Sequence, residues 1–440
     1  MCGSALVLAA QNQFGPVNYS ARTDRKIVAY PQTPPALGPA GSIITDPSFG
    51  SRIARVTDPR SDPRGAGRSL FTPSSSEQNS WNKNSTMFYV DTAGGSFLLY
   101  NFDPETMKSH LASAPNLPWT GEPQFSYTQP NILYGVVRRD TIFQQYDVSS
   151  GKASNVNNAS KCVKLQSTDA AGSPTVSADD NRFMTTLGPM QDKNYIVYVY
   201  DRSLGCRWYN TQTGEVGGQW GAKGTISAPD RFLIHNARMA KSGKYVYVTR
   251  GGGPGIGAAW VVWKVDTLNV TACAKGCRAH HVLGYSHIVG ASGMSHPLDI
   301  WIRPLNHLEN APSIITGLEP AKDFWYDSHY SWSNVDVNDS APVCFSTYRP
   351  TNPDTPGTPL LVTGPWENEI DCAETDGKAS TIWRFAHTYS TARNGFWSQP
   401  RGNVSQDGRF FMFTSDWEDQ LGKMPDGKWY RTDVFVVELK

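Results

Sequence analysis

The chain has 440 residues, of which 18% are charged, and its 40 basic and 39 acidic residues leave a net charge of +1. This balance gives no electrostatic basis for binding nucleic acid or an anionic membrane surface. Gly and Pro are frequent, with 39 and 30 residues, and aromatic residues make up 12% of the chain. Such a composition is typical of a folded protein with many turns and few long helices.

The first 40 residues are predicted to form an arm outside the main domain. Residues 4–10 (SALVLAA) are apolar and are followed by Gln11, Asn12 and Gln13, which resembles the end of a signal peptide. A disordered tail is the alternative. No apolar run in the sequence reaches the length of a membrane span, about 18 residues.

The seven cysteines also bear on the compartment. Proximity along the chain favours the pairs Cys162–Cys206, Cys273–Cys277 and Cys344–Cys372, with Cys2 left over, and buried free thiols are the alternative. Disulfides persist mainly in oxidising compartments. We therefore expect a secreted protein or one exposed at the cell envelope.

From residue 70 onward one unit recurs: a short strand, a turn rich in Asp, Asn and Gly, an aromatic strand, a loop and an alternating strand. Copies include SADDNRFMTTLG with YIVYVYD, and AKSGKYVYVTR with WVVWKVDT. Seven marker positions from Trp81 to Gln399 lie on average about 53 residues apart, and propeller blades repeat every 40–50 residues with loop insertions. The pattern predicts an all-β protein, a single seven-bladed β-propeller over residues 41–440.

The end of the chain suggests how the ring closes. The last copy, SQDGRFFMFTSD with DVFVVEL, stops one strand short of a full unit, while residues 52–58 read as a strand without a blade of its own. This N-terminal strand can complete the last blade, and ring closure removes exposed sheet edges. A tandem of two smaller propellers is the alternative.

The turn formed by Ser405, Asp407, Gly408 and Arg409, with the strand that follows, resembles the TolB-type, WD-repeat-like propeller unit. The resemblance covers roughly residues 42–440. It implies a fold rather than an activity, because propellers host many functions.

Propellers place their sites in the central funnel, beside the residues that lead into the innermost strands. The residues at these positions are Gln78, Trp81, Gln124, His235, His287, His329, Gln399 and Arg401. Several imidazoles on one axis can bind a divalent metal or transfer protons near neutral pH. The alternative is that these side chains hydrogen-bond neighbouring blades.

These residue types fit β-elimination from a uronic-acid polysaccharide. Arg401 could bind the substrate carboxylate, and His235, His287 or His329 could remove the adjacent proton. Tyr330, or alternatively Tyr285, could be the second proton-transfer group. The candidates for substrate binding are Gln78, Trp81, Gln124, Trp397 and Gln399.

The set is similar to that of oligogalacturonate lyases, seven-bladed propellers that hold a histidine-ligated metal in the funnel. That family has a Gln and a paired His-Pro-His before its last-blade turn, where this chain has Gln399, Pro400 and Arg401 before Ser405-Gln406-Asp407. Two expected histidines are thus Gln and Arg. The resemblance implies a divalent metal such as Mn or Ca, with His287, His329 and Gln399 as candidate ligands.

Two other functions remain open. Paired carboxylates could hydrolyse glycosides, and the candidates are Glu367, Glu369, Asp371, Asp416 and Glu418. Loop tryptophans suit a non-catalytic propeller that binds glycan or protein, or assembles with itself; they are Trp119, Trp220, Trp325, Trp366, Trp397, Trp417 and Trp429. We predict an extracellular carbohydrate-active propeller, with polysaccharide lyase as its leading activity, whose partner is a polysaccharide or another protein. Several imidazoles around one ligand-sized cavity would favour the enzyme.

Overall fold

The structure is a computed structural model. It describes residues 18–65, 67–172, 174–190, 192–226, 231–251, 260–273, 280–291, 300–310, 313–314, 327–332, 335–348, 362, 364–378, 381–393 and 395–440. Its strands are antiparallel and form seven sheets, numbered here as blades 1 to 7.

The chain enters through two strands that belong to the last blade, β1 (Ile43–Thr45) and β2 (Arg52–Arg55). Blade 1 contains β3 (Leu70–Phe71), β4 (Met87–Thr92), β5 (Phe97–Asp103) and β6 (Lys108–Ser113). Blade 2 contains β7 (Trp119–Phe125), β8 (Ile132–Val137), β9 (Ile142–Asp147) and β10 (Lys152–Asn158). A short 3-10 helix, Ala159–Lys161, follows.

Blade 3 is the largest sheet. It contains β11 (Ala170–Ala171), β12 (Thr175–Val176), β13 (Arg182–Gly188), β14 (Ile196–Asp201), β15 (Gly205–Asn210), β16 (Glu215–Gly218) and β17 (Gly224–Thr225). Its inner edge is split, because β11 and β12 both pair with β13.

Blades 4 to 6 return to four strands each. Blade 4 contains β18 (Leu233–Met239), β19 (Tyr245–Gly251), β20 (Val261–Lys264) and β21 (Val270–Ala272). Blade 5 contains β22 (His281–Leu283), β23 (His287–Ala291), β24 (Ile300–Pro304) and β25 (Ser313–Ile314). Blade 6 contains β26 (Asp327–Ser331), β27 (Val343–Tyr348), β28 (Glu369–Ala373) and β29 (Ile382–His387).

Blade 7 joins the two ends of the chain. A 3-10 helix, Gly395–Ser398, precedes β30 (Gly402–Val404), β31 (Phe410–Ser415) and β32 (Asp433–Glu438). The sheet order is β1-β2-β32-β31-β30. The first strand of a blade lies beside that of its neighbour, as β22 beside β26 and β26 beside β30.

The all-β propeller class predicted from the sequence is confirmed. The predicted count of seven blades is corrected to six regular blades of four or five strands among the described residues; the remaining sheet, called blade 3 here, is irregular and has seven strands. Blade 3 differs because the chain after β15 folds into two further short strands instead of leaving the sheet.

The predicted closing strand is also confirmed. β2 pairs with β32, with Ala54 opposite Val436. The ladder is reinforced by ion pairs from Arg52 Nη2 to Glu438 Oε1 at 2.7 Å and from Arg55 Nη2 to Asp433 Oδ2 at 2.5 Å. β1 extends the blade by one strand that the sequence did not predict.

Residues 18–40 pack along the outer edge of blade 6. Arg22 forms a β-bridge with Arg384 of β29, and the ring of Tyr19 packs edge-on against Trp383. His387 Nε2 lies 3.1 Å from the carbonyl oxygen of Val28. The arm therefore covers the free backbone groups of an outer strand, which protects a sheet edge from pairing with other chains.

Apolar and aromatic side chains from adjacent blades fill the core, and Trp81, Trp263 and Trp301 are fully buried there. The predicted disulfides Cys162–Cys206 and Cys344–Cys372 are confirmed. Cys2 and Cys277 lie outside the described residues. No helix in the described part of the chain has the length and apolarity needed to cross a membrane.

Candidate functional site

A cavity of about 980 Å³ opens at one end of the propeller axis. Loops and strand entries from several blades line it, among them His235 and Arg238 of blade 4, His280 and His281 at the start of blade 5, and His329 of blade 6. A space of this size accommodates a ligand of a few sugar rings, and convergent polar groups in such a cavity mark a candidate site.

Two histidines form the centre of the site. The rings of His280 and His329 lie against each other, with centroids 4.2 Å apart and planes inclined by 30°. His280 Nδ1 donates to the carbonyl oxygen of Ser328 at 2.9 Å and lies 3.4 Å from Asp327 Oδ1. His329 Nε2 lies 2.9 Å from Gln399 Oε1, so this nitrogen carries the proton and Nδ1 can accept one.

The surroundings of the two rings separate their pKa values. Burial acts to lower the pKa of His280, but the hydrogen bond and charge of Asp327 outweigh it and raise that pKa. Burial, followed by the charge of His280, holds the pKa of His329 well below its usual range. Despite its burial, Asp327 has its pKa lowered to about 2 by His280. The surroundings therefore favour a protonated imidazole at His280 and a neutral one at His329.

Two tyrosines complete this wall of the cavity. The Tyr348 hydroxyl donates to Asp327 Oδ2 at 3.0 Å, and its ring is stacked on His329 with centroids 5.4 Å apart. Tyr330 lines the cavity as predicted, but its hydroxyl accepts a hydrogen bond from Ser328 and burial raises its pKa. Both phenols stay protonated at neutral pH, so neither can act as a base there.

Glu77 and Arg238 place a carboxyl group and a guanidinium group in the cavity wall. Glu77 Oε1 lies 3.2 Å from His281 Nε2, and burial raises the Glu77 pKa to about 7. Arg238 is 5% exposed, and among the described residues its Nε and Nη1 atoms have no hydrogen-bond partner. A guanidinium with unbonded nitrogens beside a cavity is suited to bind an anionic ligand group.

The rim of the cavity is basic on the side of blades 2 to 4. Arg138, Arg139 and Arg250 line it there. His235 also lies at the rim, where its Nδ1 is 2.5 Å from Asp192 Oδ1 and both side chains are 54% exposed. A β-bulge between Ile234 and Asn236 places His235 at this position.

Arg401 lies beneath the cavity rather than on its surface. It is fully buried, and its guanidinium carbon is 4.2 Å from the centre of the Phe396 ring and 5.1 Å from that of Trp397. Burial lowers its pKa to about 10. Phe396 and Gln399 line the cavity, and Trp397 is 52% exposed beside them.

Four sequence-predicted residues reach the cavity wall: His235, His329, Tyr330 and Gln399. His287 does not, because it begins β23, which runs antiparallel to β22 and starts at the end of the blade away from His281. There His287 Nδ1 lies 2.9 Å from Asp339 Oδ2, and the backbone nitrogen of Tyr285 donates to the same carboxylate. The expectation that His287 and Tyr285 join the funnel is corrected.

Three predicted substrate-binding residues instead bind neighbouring blades. The Gln78 side chain donates to the carbonyl oxygens of Glu122 and Pro123, and Gln124 Oε1 accepts from the backbone of Val176. Trp81 is buried in the core, where its indole nitrogen donates to the carbonyl oxygen of Asn403. Their location is a correction: each side chain holds two blades together.

The carboxylates considered for glycoside hydrolysis lie away from the cavity. Glu369 forms a bidentate pair with Arg384, Asp371 is buried next to Glu369, and Asp416 accepts hydrogen bonds from Thr391. Of the loop tryptophans, Trp397 and Trp429 are exposed, whereas Trp119, Trp366 and Trp417 are buried and Trp220 is half-buried. Trp325 lies outside the described residues.

The predicted metal ligands do not converge. His287 is at the far end of its blade, and His329 is hydrogen-bonded to Gln399. Within the described ranges, no group of three or more His, Cys, Asp or Glu side chains could hold a metal ion. Arg401 adds a fixed positive charge close to His329. These residues therefore do not fit a metal.

Sequence reasoning missed His280, His281, Arg238, Glu77, Asp327 and Tyr348. The adjacent histidines at 280 and 281 were the available signal, because they lead directly into the inner strand β22. His287 was expected to lead into that inner strand, although His287–Ala291 forms the second strand of the blade. Because the inner strand of blade 5 was placed one strand too late, His287 was predicted for the cavity in place of His281.

Comparison with solved structures shows the fold. The chain is similar to an oligogalacturonate lyase in complex with manganese, with 12% identity and a TM-score of 0.59 over 93% of this chain and 98% of that one. It is also similar to the oligogalacturonate lyase of Vibrio parahaemolyticus, with 10% identity and a TM-score of 0.55 over 90% and 96%. No family model and no curated protein sequence matches the chain.

Proposed function

We propose that this protein is a secreted polysaccharide lyase that cleaves uronic-acid glycans by β-elimination in the axial cavity. The observation that carries the proposal is the contact between His280 and His329, whose pKa values are shifted in opposite directions. Neighbouring groups with separated pKa values provide an acid and a base at the same pH.

His329 is the base. Its Nδ1 removes the proton from the carbon next to the uronate carboxylate, and that electron pair forms the carbon–carbon double bond. The bond from the next carbon to the glycosidic oxygen breaks. Gln399 holds His329 in the required tautomer, because Nε2 donates to the amide oxygen at 2.9 Å.

His280 is the acid. As an imidazolium it donates a proton to the oxygen of the leaving sugar, while Asp327 stabilises the protonated ring from 3.4 Å. The two histidines then exchange protons with water to restore the starting state. No oxidant, reductant or further reactant is needed.

Arg238 binds the substrate carboxylate. Negative charge develops on this group as the proton leaves, and a guanidinium with two unbonded nitrogens in a sheltered cavity stabilises such charge strongly. The basic rim of Arg138, Arg139 and Arg250 attracts the remaining carboxylates of a longer glycan.

The mechanism contains no metal step. One of the similar lyases is described in complex with manganese. In this chain the corresponding candidates, His287, His329 and Gln399, do not fit a metal ion, and Arg401 supplies a cation nearby.

Two further observations favour an extracellular protein that acts on carbohydrates. The disulfides Cys162–Cys206 and Cys344–Cys372 suit an oxidising compartment. Phe396 and Trp397, 41% and 52% exposed beside the cavity, offer faces on which sugar rings can stack. This second feature also suits a propeller that binds glycans without cleaving them.

An assay of unsaturated products separates the two functions. We expect ultraviolet absorbance to rise when the protein is incubated with uronate polysaccharides, with and without chelator. His280→Ala and His329→Ala should each remove the signal, while His307→Ala, at an exposed site outside the cavity, should keep it. Binding without product from any uronate polymer would establish the non-catalytic alternative.

A further inference from the structure

Arg401 differs from the other fully buried arginines. Arg384 and Arg431 form bidentate pairs with Glu369 and Asp433, and Arg207 donates to four backbone carbonyl oxygens. In contrast, none of the three side-chain nitrogens of Arg401 has a hydrogen-bond partner among the described residues. Burying a guanidinium unpaired is costly, and structural arginines avoid it.

Two acidic groups act on Arg401 without bonding to it. Glu122 and Asp91 favour its charge electrostatically, yet within the described part of the chain neither accepts a hydrogen bond from it. Glu122 accepts hydrogen bonds from the backbone of Ser74 and Ser75 instead. Burial and the charge of Glu122 raise the pKa of Asp91 well above its usual range. Arg401 therefore keeps unused hydrogen-bond donors.

Two aromatic side chains pack on the Arg401 guanidinium, and one of them, Phe396, also lines the cavity. Phe396 and Trp397 lie over the guanidinium and belong to the four-residue 3-10 helix Gly395–Ser398. Their rings are 41% and 52% exposed, which is unusual for large apolar groups that cap a buried charge. A cation over a ring gains electrostatic attraction, but the guanidinium N–H groups remain unbonded.

We propose that Arg401 is a covered carboxylate-binding site, which a ligand reaches from the cavity when Phe396 and Trp397 move aside. The guanidinium fork matches a carboxylate in two parallel hydrogen bonds. Phe396 and Gln399 line the cavity next to Arg401, so the carboxylate of a sugar ring in the cavity is in reach once the cover opens. This site goes beyond the proposed lyase reaction, because binding there requires no bond cleavage.

Trp397 is a built-in reporter for the opening. Sodium galacturonate is the probe, galactose is the matched neutral sugar, and inorganic phosphate tests another anion. We expect galacturonate to change the fluorescence that Trp397 contributes, obtained as the difference between the natural protein and Trp397→Phe. Galactose should leave it unchanged. Inorganic phosphate can pair with the same guanidinium, so a response to phosphate without one to galacturonate would contradict the assignment to a carboxylate.

Substitution of Arg401 tests the assignment directly. Arg401→Met should abolish the Trp397 response and Arg401→Lys should weaken it about tenfold, because an ammonium cannot bind in the same bidentate manner. Arg401→Met should also keep or raise Tm, since it removes an unpaired buried charge, whereas Arg431→Met should lower it. A lowered Tm for Arg401→Met, or a galacturonate response that persists in it, overturns the proposal, as does a silent Trp397 in the natural protein.

The experiments on Arg401 and Trp397 can fail or succeed independently of the lyase assay. A Trp397 response that needs Arg401, without unsaturated product, supports the covered site and contradicts the lyase. Product formation with a Trp397 signal that ignores galacturonate supports the lyase and contradicts the covered site. If galacturonate binds at Arg238 alone, the Trp397 signal likewise does not respond, which contradicts the covered site.

Discussion

The ring centroids of His280 and His329 lie 4.2 Å apart, and Asp327 makes its close ion-pair contact, at 3.4 Å, with His280. Asp327 holds a charge on one ring, and that charge together with burial keeps the other ring neutral. His329 lies in β26 of blade 6, and His280 lies just before β22 of blade 5. The packing of these two blades therefore brings the two rings together.

The activity should show a bell-shaped dependence on pH. It requires His329 neutral, which holds above its lowered pKa, and His280 protonated, which holds below its raised pKa. Asp327→Asn removes the main cause of the raised pKa of His280, so the alkaline limb of kcat should move to lower pH. Asp376→Asn, at a turn outside the cavity, is the control and should leave both limbs in place. An unchanged alkaline limb in Asp327→Asn would exclude His280 as the acid.

Gln399→Glu should move the opposite limb. A carboxylate 2.9 Å from His329 Nε2 favours the charged ring, so the pKa of His329 should rise and the acidic limb of kcat should move to higher pH. Gln212→Glu places the same change at an exposed turn and should have no effect. If the acidic limb stays where it is in Gln399→Glu, a group other than His329 is the base.

The propeller fold could be predicted from the sequence, whereas the candidate site could be predicted only in part. Alternating strands and Asp-Gly turns depend on local geometry, so the sequence pattern predicts them. The strand at 52–58, which has no blade of its own in the sequence, predicts the closing ladder with β32. A site in a propeller depends on which strand of each blade is innermost. In blade 5 residues 281–283 and 287–291 both form strands, and apart from the adjacent histidines at 280 and 281 no sequence signal marks the first of them as the inner strand.

The same limit applies to buried polar residues. Gln124 and Arg401 were both expected to lead into inner strands, but Gln124 lies within β7 and binds the backbone of Val176, whereas Arg401 lies beneath Phe396 without a hydrogen bond among the described residues. The difference depends on which neighbouring blade offers a partner, which residue spacing does not encode.

The closing strand should carry a measurable part of the stability. Ile53 is fully buried in β2, and Ile53→Ala should lower the free energy of unfolding by about 2–4 kcal/mol, because it removes buried methyl groups and leaves a cavity. Ile43→Ala on β1 makes the same chemical change at a side chain 37% exposed and should cost less than about 1 kcal/mol. Equal losses in urea unfolding would mean that the ladder of β2 with β32 does not stabilise the ring.

Arg238→Met should reduce kcat/KM by about 10²–10³ if this guanidinium stabilises the charge that develops on the substrate carboxylate. Because the effect belongs to the transition state, kcat should fall with it, and the loss should persist at high salt. Arg139→Met at the exposed rim is the matched control: it removes long-range attraction, so it should raise KM modestly and only at low ionic strength. If Arg238→Met changes KM alone, and if salt abolishes that change, Arg238 only attracts the substrate as the rim arginines do and does not stabilise the transition state.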